Sequence, residues 1–221
     1  MSPKPFQVDP DVMAKIRPML ALDTPQVAAL HHAAMGRSTW ALLGSDFLQA
    51  LYASLIDDEL FLGFVYEEHG EIGGFIAGSQ NTERMLAETM RRAWPILGWK
   101  AMPRVMKPRV IARIWQTHRY TQVSGAKDLP ESLFCSFKPN LRGKRISGHI
   151  NKVLFDELLA RGHSSVKVTT EADNEGANRQ LTSWGFEDGG RFSFYGKDMV
   201  LYVLDLEASA RVEAVSRHPA V

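Results

Sequence analysis

The sequence lacks the features that mark secreted, zinc-binding and membrane-spanning chains. One cysteine among 221 residues excludes an intramolecular disulfide framework, and no Cys/His group has zinc spacing, so we expect no metal. The sequence contains no run of about eighteen apolar residues, so we expect no membrane-spanning helix. The formal net charge of +1 gives no general attraction to nucleic acid or membrane. The first ten residues are polar and have no apolar signal core, which predicts a cytoplasmic location.

The stretch Glu131–Thr170 has the pattern strand, loop, helix, strand. The apolar run Leu133–Phe137 predicts a buried strand, which Pro139 closes because proline cannot donate to a ladder. A helix is predicted next, because apolar residues recur at spacings of three and four: Ile146, Ile150, Val153, Leu154 and Leu158. We expect Gly162 to end this helix in the left-handed conformation. Alternation then predicts a half-covered strand over Val166, Lys167, Val168, Thr169 and Thr170.

The loop ahead of that helix is basic and contains a glycine, in the order Arg142-Gly143-Lys144-Arg145. The first amides of a helix lack intrahelical partners, and the helix dipole adds positive charge at that end. A phosphate would therefore bind well there. An ordinary basic strand–helix junction would have the same sequence, so the residues alone leave both interpretations open.

The segments that follow make this region resemble the GNAT superfamily of acyl-CoA-dependent N-acyltransferases. The resembling parts are the strand–RGKxI–helix unit over 133–159, the strand ending in Thr170, and Asp173-Asn174-x-x-Ala177 with Gly185-Phe186. The resemblance, which spans roughly residues 130 to 206, implies acetyl-CoA or another acyl-CoA as co-substrate. It implies these donor-binding residues: Ser136, Phe137, Arg142, Gly143, Lys144, Arg145, Ile146, Ser147, Asn174 and Ala177.

Three positions depart from the family pattern, two in the turn and one in the short helix region that follows. Arg145 and Ser147 stand where the family turn has small residues, usually glycine, that let the backbone approach the pyrophosphate. Arg145 either supplies a charge-assisted bond to the phosphates or blocks them. Leu181 stands where many relatives carry a tyrosine that protonates the departing thiolate. Tyr195 and Tyr202 are the nearest tyrosines in sequence, and for both we expect a packing role.

Glu131-Ser132-Leu133-Phe134-Cys135 resembles the strand of histone-acetyltransferase-type relatives, in which a glutamate four residues before a cysteine is the general base. This resemblance implies that Glu131 deprotonates the acceptor amine. The alternative is a solvated charge at the start of the strand. For Cys135 we expect a small core residue and not a nucleophile.

The rest of the chain predicts a short edge strand at 16–19, a helix capped by Asp23 or Thr24, a helix starting at Gly44-Ser45-Asp46, and a hairpin around Gly70. His31 and His32 are expected on the surface or half-buried. Three glycines fit either a close approach of another group or a tolerant sheet edge: Gly73, Gly74 and Gly78. A closing hairpin over 191–206 has an inner second strand. We expect one domain over 13–206, with loose termini at 1–12 and 207–221.

Residues 80–128 form an insertion with ten Lys or Arg against three acids, a net charge of +7 that leaves −6 for the remainder. The insertion also contains Trp94, Trp99 and Trp115. Two amphipathic helices are predicted, around 85–94 and 110–115, with Pro95, Pro103 and Pro108 breaking the region between them. Three roles stay open: a lid over an anionic acceptor, a subunit or membrane-surface contact, and an embellishment with a solvated basic face.

The predicted fold is α+β (α/β) of GNAT type: a mixed, twisted sheet with helices on both faces and a helical insertion before the central strand. The expected function is transfer of an acetyl or other short acyl group from acyl-CoA to the amine of a small acceptor, which the insertion's charge suggests is anionic. The alternative is a degenerate fold that acts as an acyl-CoA sensor or partner-binding module. Docking of an acidic carrier protein on the insertion is a weaker alternative. No nucleic-acid partner is expected, no membrane partner is expected apart from surface contact through the insertion, and homodimerisation is left open.

Overall fold

The computed structural model describes residues 6–36, 38–105, 128–141, 143–194 and 196–208. Its centre is one seven-stranded sheet in the order β1-β2-β3-β4-β5-β7-β6, in which β4 and β5 are parallel and the other neighbours antiparallel. The strands are β1 (Ile16–Pro18), β2 (Phe61–Glu68), β3 (Glu71–Ser79), β4 (Glu131–Phe137), β5 (Ser165–Glu171), β6 (Glu187–Phe194) and β7 (Lys197–Asp205). The mixed sheet, the β1 edge and the inner position of β7 confirm the predictions.

Helices cover both faces of this sheet, as predicted. They are α1 (Pro10–Met13), α2 (Thr24–Met35), α3 (Thr39–Leu42), α4 (Ser45–Ile56), α5 (Thr82–Val105), α6 (Ile146–Ala160) and α7 (Glu175–Ser183). Helices α2 to α5 pack on one face around Leu48, Leu51 and Phe75. Helices α6 and α7 pack on the other, where Ile150 and Leu154 of the predicted stripe are fully buried. Gly162 ends α6 at φ +86°, the left-handed conformation expected of it.

The β3 glycines allow side chains from neighbouring elements to approach the strand. A Cβ on Gly74 would lie 2.1 Å from the Phe137 Cδ1 atom, and one on Gly78 would lie 2.8 Å from Leu154 Cδ1. The close-approach interpretation is therefore confirmed. The sheet-edge alternative is wrong, because β3 lies between β2 and β4.

Helix α5 carries the first part of the insertion and runs for 24 residues without a break at Pro95 or Pro103. The predicted break is wrong, because a buried stripe that includes Met85, Ala93 and Leu97 continues past Pro95. Burying such side chains offsets the roughly 3 kcal/mol that an interior proline costs a helix. Among the described helices, α5 included, none is apolar enough over eighteen residues to cross a membrane. The second predicted helix, with Pro108 and Trp115, lies outside the described residues.

His31 differs from the prediction, because it is completely buried between α2 and α4. Its Nδ1 lies 2.7 Å from the Tyr52 hydroxyl and its Nε2 lies 3.2 Å from Ser38 Oγ, so both ring nitrogens have partners. The ring packs against Phe134 at a centroid distance of 4.8 Å. Burial lowers the pKa of His31 to about 4, which keeps the imidazole neutral at pH 7. His32 is exposed, as predicted.

The predicted side-chain cap of α2 is absent. The Asp23 carboxylate accepts instead from the Leu20 N–H at 2.8 Å. It also forms a bidentate salt bridge with the Arg17 guanidinium, with N–O distances of 2.6 and 2.8 Å. The Thr24 hydroxyl donates to the Ala21 carbonyl at 2.9 Å. Both side chains therefore bind to the chain that precedes α2 and not to the α2 amides.

Candidate active site

Strands β4 and β5 separate after two residues, and the space between them is the candidate site. Their parallel pairing is limited to Glu131 with Lys167 and Ser132 with Val168. On the other side of β4, Leu133 is an extra residue in the ladder with β3, which forms a β-bulge. A bulge bends its strand and increases the local twist. The bulge therefore lies at the point where β4 leaves β5.

The cleft that opens there has a volume of about 610 Å³. Its walls come from β4, the loop before α6, the first turns of α6 and α7, β5 and the end of α2. The structure brings seven of the predicted donor-binding residues to this cleft: Phe137, Gly143, Arg145, Ile146, Ser147, Asn174 and Ala177. Lys144 is exposed outside the lining, and Arg142 lies outside the described residues. The Ser136 side chain faces the opposite layer, where its Oγ donates to the Leu30 carbonyl at 3.4 Å.

The loop before α6 has the backbone of an anion-binding turn. Gly143 has φ +80° and Arg145 has φ +57°, both in the left-handed region. Arg145 is the helix N-cap, but its side chain makes no capping hydrogen bond. The Gly148 N–H donates to the Arg145 carbonyl at 3.0 Å, and the amides of Ile146 and Ser147 receive no side-chain cap from Arg145. A helix start with amides left uncapped is the arrangement that binds anions. Arg145 thus adopts a left-handed conformation, which favours glycine, at the position where the family pattern has a small residue.

A second layer supports this turn from behind. The His149 Nδ1–H donates to the Arg145 carbonyl at 2.9 Å, and its Nε2 accepts from the Asp9 N–H at 2.9 Å. Phe6 packs on the same imidazole at a ring-centroid distance of 4.8 Å. The lead-in that was expected to be loose is therefore attached to α6 from Phe6 onward. We did not identify His149 from the sequence, because its position on α6 carries no motif.

Ser147, the second departure from the family turn, joins α6 to α7. Its Oγ accepts from Gln180 Nε2 at 3.0 Å, and its carbonyl accepts from Asn151 Nδ2 at 2.8 Å. Gln180 and Asn151 both line the cleft. Neither was predicted as a site residue. The recurrence of polar residues one turn apart on the inner face of α6, at Ser147 and Asn151, was the signal that could have found Asn151.

Helix α7 opens as predicted, with the Asn174 side chain accepting from the Ala177 N–H at 3.2 Å. Leu181 packs into the core at the cleft wall and offers no proton. Tyr202 is buried in the same core, which confirms its packing role, and Tyr195 lies outside the described residues.

Cys135 faces the cleft and not the core, contrary to the prediction. Beyond the bulge, β4 turns Cys135 and Phe137 toward the space that β5 has left. Asn151 Nδ2 lies 3.6 Å from the sulfur. Desolvation by the surrounding walls raises the pKa of the Cys135 thiol to about 12, so the thiolate is scarce at neutral pH. The expectation that this cysteine is not a nucleophile is consistent with that shift.

Glu131 is buried at the closed end of the two strands, with 5% of its surface exposed. Its Oε2 accepts from Thr82 Oγ1 at 2.8 Å and lies 3.9 Å from Lys167 Nζ. The interpretation of Glu131 as a solvated charge is therefore wrong. The general-base role stays a prediction, and the carboxylate is not among the residues that line the cleft.

The described lining of the cleft has one charged side chain, that of Arg145, and the other lining residues are apolar or neutral. Positive charge is thus at the turn, where phosphates would bind. The part lined by Ala34, Met35 and Phe134 is apolar. Within the described ranges, no group of three His, Cys, Asp or Glu side chains could hold a metal ion.

Comparisons with known proteins place this architecture among acetyltransferase structures. SsHAT aligns with a TM-score of 0.64 at 17% identity, covering 86% of this chain and 97% of its own. An N-acetyltransferase from Staphylococcus aureus Mu50 aligns at 0.56 and 18% identity, covering 86% and 97%. A structure assigned to the GNAT family, from Desulfovibrio desulfuricans, aligns at 0.55 and 12%, covering 86% and 98%. The chain therefore has the GNAT fold, as its sequence resemblance implied.

No family model matches the sequence. A mycothiol acetyltransferase from Brachybacterium faecium is 34% identical over 68 residues, which cover 30% of this chain and 20% of that protein. The match thus spans about a fifth of that relative's length.

Proposed function

We propose that the protein is an acyltransferase that moves an acetyl or other short acyl group from acyl-CoA to the amine of a small acceptor. One observation carries the proposal: the cleft between the diverging strands ends at a left-handed, uncapped helix start beside the sole charged side chain of its described lining. A phosphate-bearing ligand with an extended acyl arm fits this arrangement. The acetyltransferase names of the structural neighbours support the same reaction class.

In this proposal the amides from Gly143 to Ser147 hold the pyrophosphate of CoA, and Arg145 supplies a charge-assisted hydrogen bond to it. The predicted contribution of Arg142 and Lys144 is electrostatic. Asn174 and Ala177 line the cleft at the start of α7, opposite that turn. The backbone of Ser136 and Phe137, on the part of β4 that no longer pairs with β5, orients the thioester carbonyl.

The chemistry needs little more than positioning. The neutral acceptor amine attacks the thioester carbonyl, the C–S bond breaks, and the amide forms as the amine loses a proton and the thiolate gains one. Holding both reactants in one dry cleft supplies most of the acceleration. Leu181 cannot protonate the thiolate, so water is the proposed donor. Removal of the amine proton by Glu131, directly or through water, stays a prediction.

The acceptor is proposed to enter beside Ala34 and Met35, at the end of α2. The described wall there is uncharged, so an anionic acceptor would be recognised by cations elsewhere, such as those of the insertion. The anionic character, the cytoplasmic location and the homodimer stay predictions.

The test is the thermal shift of the protein with CoA, acetyl-CoA and longer acyl-CoAs, followed by release of free CoA thiol with an amine panel. A ligand at about a hundred times its Kd should stabilise the fold by roughly 2.7 kcal/mol, or several degrees. The Arg145→Ala variant tests the turn in the same assays, and Arg191→Ala, on exposed β6, is its matched control. The proposal fails if no acyl-CoA shifts the unfolding temperature.

A second candidate is an acyl-CoA sensor without turnover, which Leu181 at the position of the family's acid favours. Retained binding of acetyl-CoA with no thiol release for any amine would support the sensor. Thiol release that depends on an added amine would exclude it.

A further inference from the structure

Helix α5 exposes large apolar side chains along its outer face. Trp94 and Trp99 are 67% and 71% exposed, and Ile96 and Met102 are 59% and 54% exposed. We call these four residues the α5 stripe. From Trp94 to Met102 the stripe extends about 12 Å along the helix axis, at 1.5 Å per residue. Isolated exposed apolar residues are common, but four within nine residues of one helix are a patch that calls for a partner.

The opposite face of α5 fixes the direction in which the stripe points. Ala93, Leu97 and Ala101 are buried against the core beneath α2 and α4. The Arg92 guanidinium donates to the Ser54 carbonyl at 2.6 Å, at the end of α4. Thr89 Oγ1 donates to Asp58 at 3.4 Å in the loop that follows. The helix is therefore held in one rotation about its axis, and the α5 stripe faces away from the sheet.

Positive charge accompanies the stripe. Arg91 and Lys100 are exposed on α5, near its tryptophans. Residues 80–128 as a whole carry +7, while the rest of the chain carries −6. Tryptophan, aliphatic side chains and cations on the outer face of one helix are the composition of helices that lie in the plane of a membrane interface. There the indole rings occupy the boundary between headgroups and acyl chains, and lysine and arginine reach the phosphates.

We propose that the α5 stripe docks this protein on an anionic lipid surface. Charge decides between this partner and the alternatives. A second copy placed by a two-fold axis would bring two positively charged helices together, since each α5 has five Lys or Arg against two Glu. Residues 106–127 of the same chain add five Lys or Arg and no acid, so their net charge has the same sign as that of α5. Anionic headgroups are complementary to this charge, and they attract the cations that lie near the surface.

The proposal does not depend on acyl transfer, because the stripe and the cleft are separate surfaces. It predicts where a membrane would lie: against the outer side of α5, on the sheet face covered by α2 to α5. The cleft turn at Gly143–Ser147 belongs to the opposite helical layer. A surface-bound protein would therefore keep its donor-binding turn in water.

The experiment measures binding of the full chain to vesicles of phosphatidylcholine alone and to vesicles that also contain phosphatidylglycerol, by co-sedimentation. Trp94→Ser/Trp99→Ser removes the stripe, and Leu22→Ser is the matched control, since Leu22 is 73% exposed outside α5. Brominated acyl chains then report, by quenching, whether the tryptophans reach the hydrocarbon. Arg91→Gln/Lys100→Gln tests the charge.

We expect the protein to bind only the vesicles that contain phosphatidylglycerol, and we expect salt to weaken this binding. The double tryptophan variant should bind at least tenfold more weakly, whereas Leu22→Ser should bind as tightly as the unaltered protein. Quenching should be lost with the two tryptophans. Absence of binding, or binding that survives both substitutions, overturns the proposal. A dimer that Trp94→Ser/Trp99→Ser abolishes, without lipid binding, assigns the stripe to a second copy. A fall in the unfolding temperature of that variant without lipid assigns it to residues 106–127.

Discussion

Glu131 and Lys167 face each other where β4 and β5 are still paired, with Glu131 Oε2 and Lys167 Nζ 3.9 Å apart. Both side chains are almost completely buried, and Thr82, the first residue of α5, donates to the same carboxylate oxygen at 2.8 Å. One ion pair thus joins the two strands at the closed end of the cleft and also holds the start of the insertion. A pair in this position stabilises the geometry from which the strands diverge.

Glu131→Gln should lower the free energy of unfolding by about 3 kcal/mol, because it removes the carboxylate that faces the buried Lys167 ammonium. The unfolding temperature should fall by roughly 6–12 °C. Glu131→Gln/Lys167→Met, which removes both charges, should recover most of the loss. Glu175→Gln breaks an exposed pair with Arg179 and is the control, expected to have no measurable effect.

The same double variant separates structure from catalysis. A folded Glu131→Gln/Lys167→Met protein that retains kcat would exclude Glu131 as the base. A loss of about a hundredfold in kcat without a change in stability would support the base.

Arg145 should behave differently when replaced by glycine and by alanine. Both substitutions remove the guanidinium, and both should weaken the binding of CoA about tenfold, as measured by calorimetric titration. Only alanine keeps a Cβ at φ +57°, so Arg145→Ala should be less stable than Arg145→Gly by about 1 kcal/mol. Tighter CoA binding in both variants would show instead that the arginine obstructs the turn.

Cys135 should react slowly with iodoacetamide at pH 7.5 and faster as the pH rises toward 12, because the raised pKa of its thiol leaves about one thiolate in ten thousand at pH 8. It is the one cysteine of the chain, so mass spectrometry reads the site directly. Acetyl-CoA should protect it, and Cys135→Ala should retain turnover within about threefold. Fast labelling at neutral pH would contradict the pKa shift. Complete loss of turnover in a folded Cys135→Ala protein would contradict its passive role.

His31 should make the protein less stable in acid. Its folded pKa of about 4 lies below the unfolded value near 6.5, so protons favour the unfolded chain. This contribution is fully present above about pH 6.5 and is lost as the pH falls to 4, to a total of about 3 kcal/mol. In His31→Asn, which keeps an acceptor for the Tyr52 hydroxyl, urea unfolding should show a smaller loss between pH 6.5 and 4. Equal losses in the two proteins would exclude His31 as the source.

The sequence predicted the parts of the fold that depend on local rules. Apolar spacing predicted α6, and a left-handed glycine predicted its end. The candidate anion-binding turn was proposed by the same kind of rule, because glycine and cations before a helix favour an anion.

Features that depend on contacts distant in the chain were not predicted. Cys135 faces the cleft because a single bulge at Leu133 changes which side chains of β4 point to each face of the sheet. No rule based on composition predicts the position of such a bulge. His31 is buried because Tyr52 and Ser38, on other elements, satisfy both its nitrogens. Pro95 lies within α5 because tertiary burial outweighs its local cost. The His149 contacts join residues 140 positions apart.

The hydrogen-bond chain from Asp9 through His149 to the Arg145 carbonyl predicts that the proposed affinity for CoA depends on the residues before the first strand. A protease that removed Phe6 to Asp9 would leave every cleft-lining side chain in place. It would nevertheless expose the imidazole that steadies the left-handed turn. Clipped protein should therefore bind CoA less tightly than intact protein, and bound CoA should in return slow the clipping.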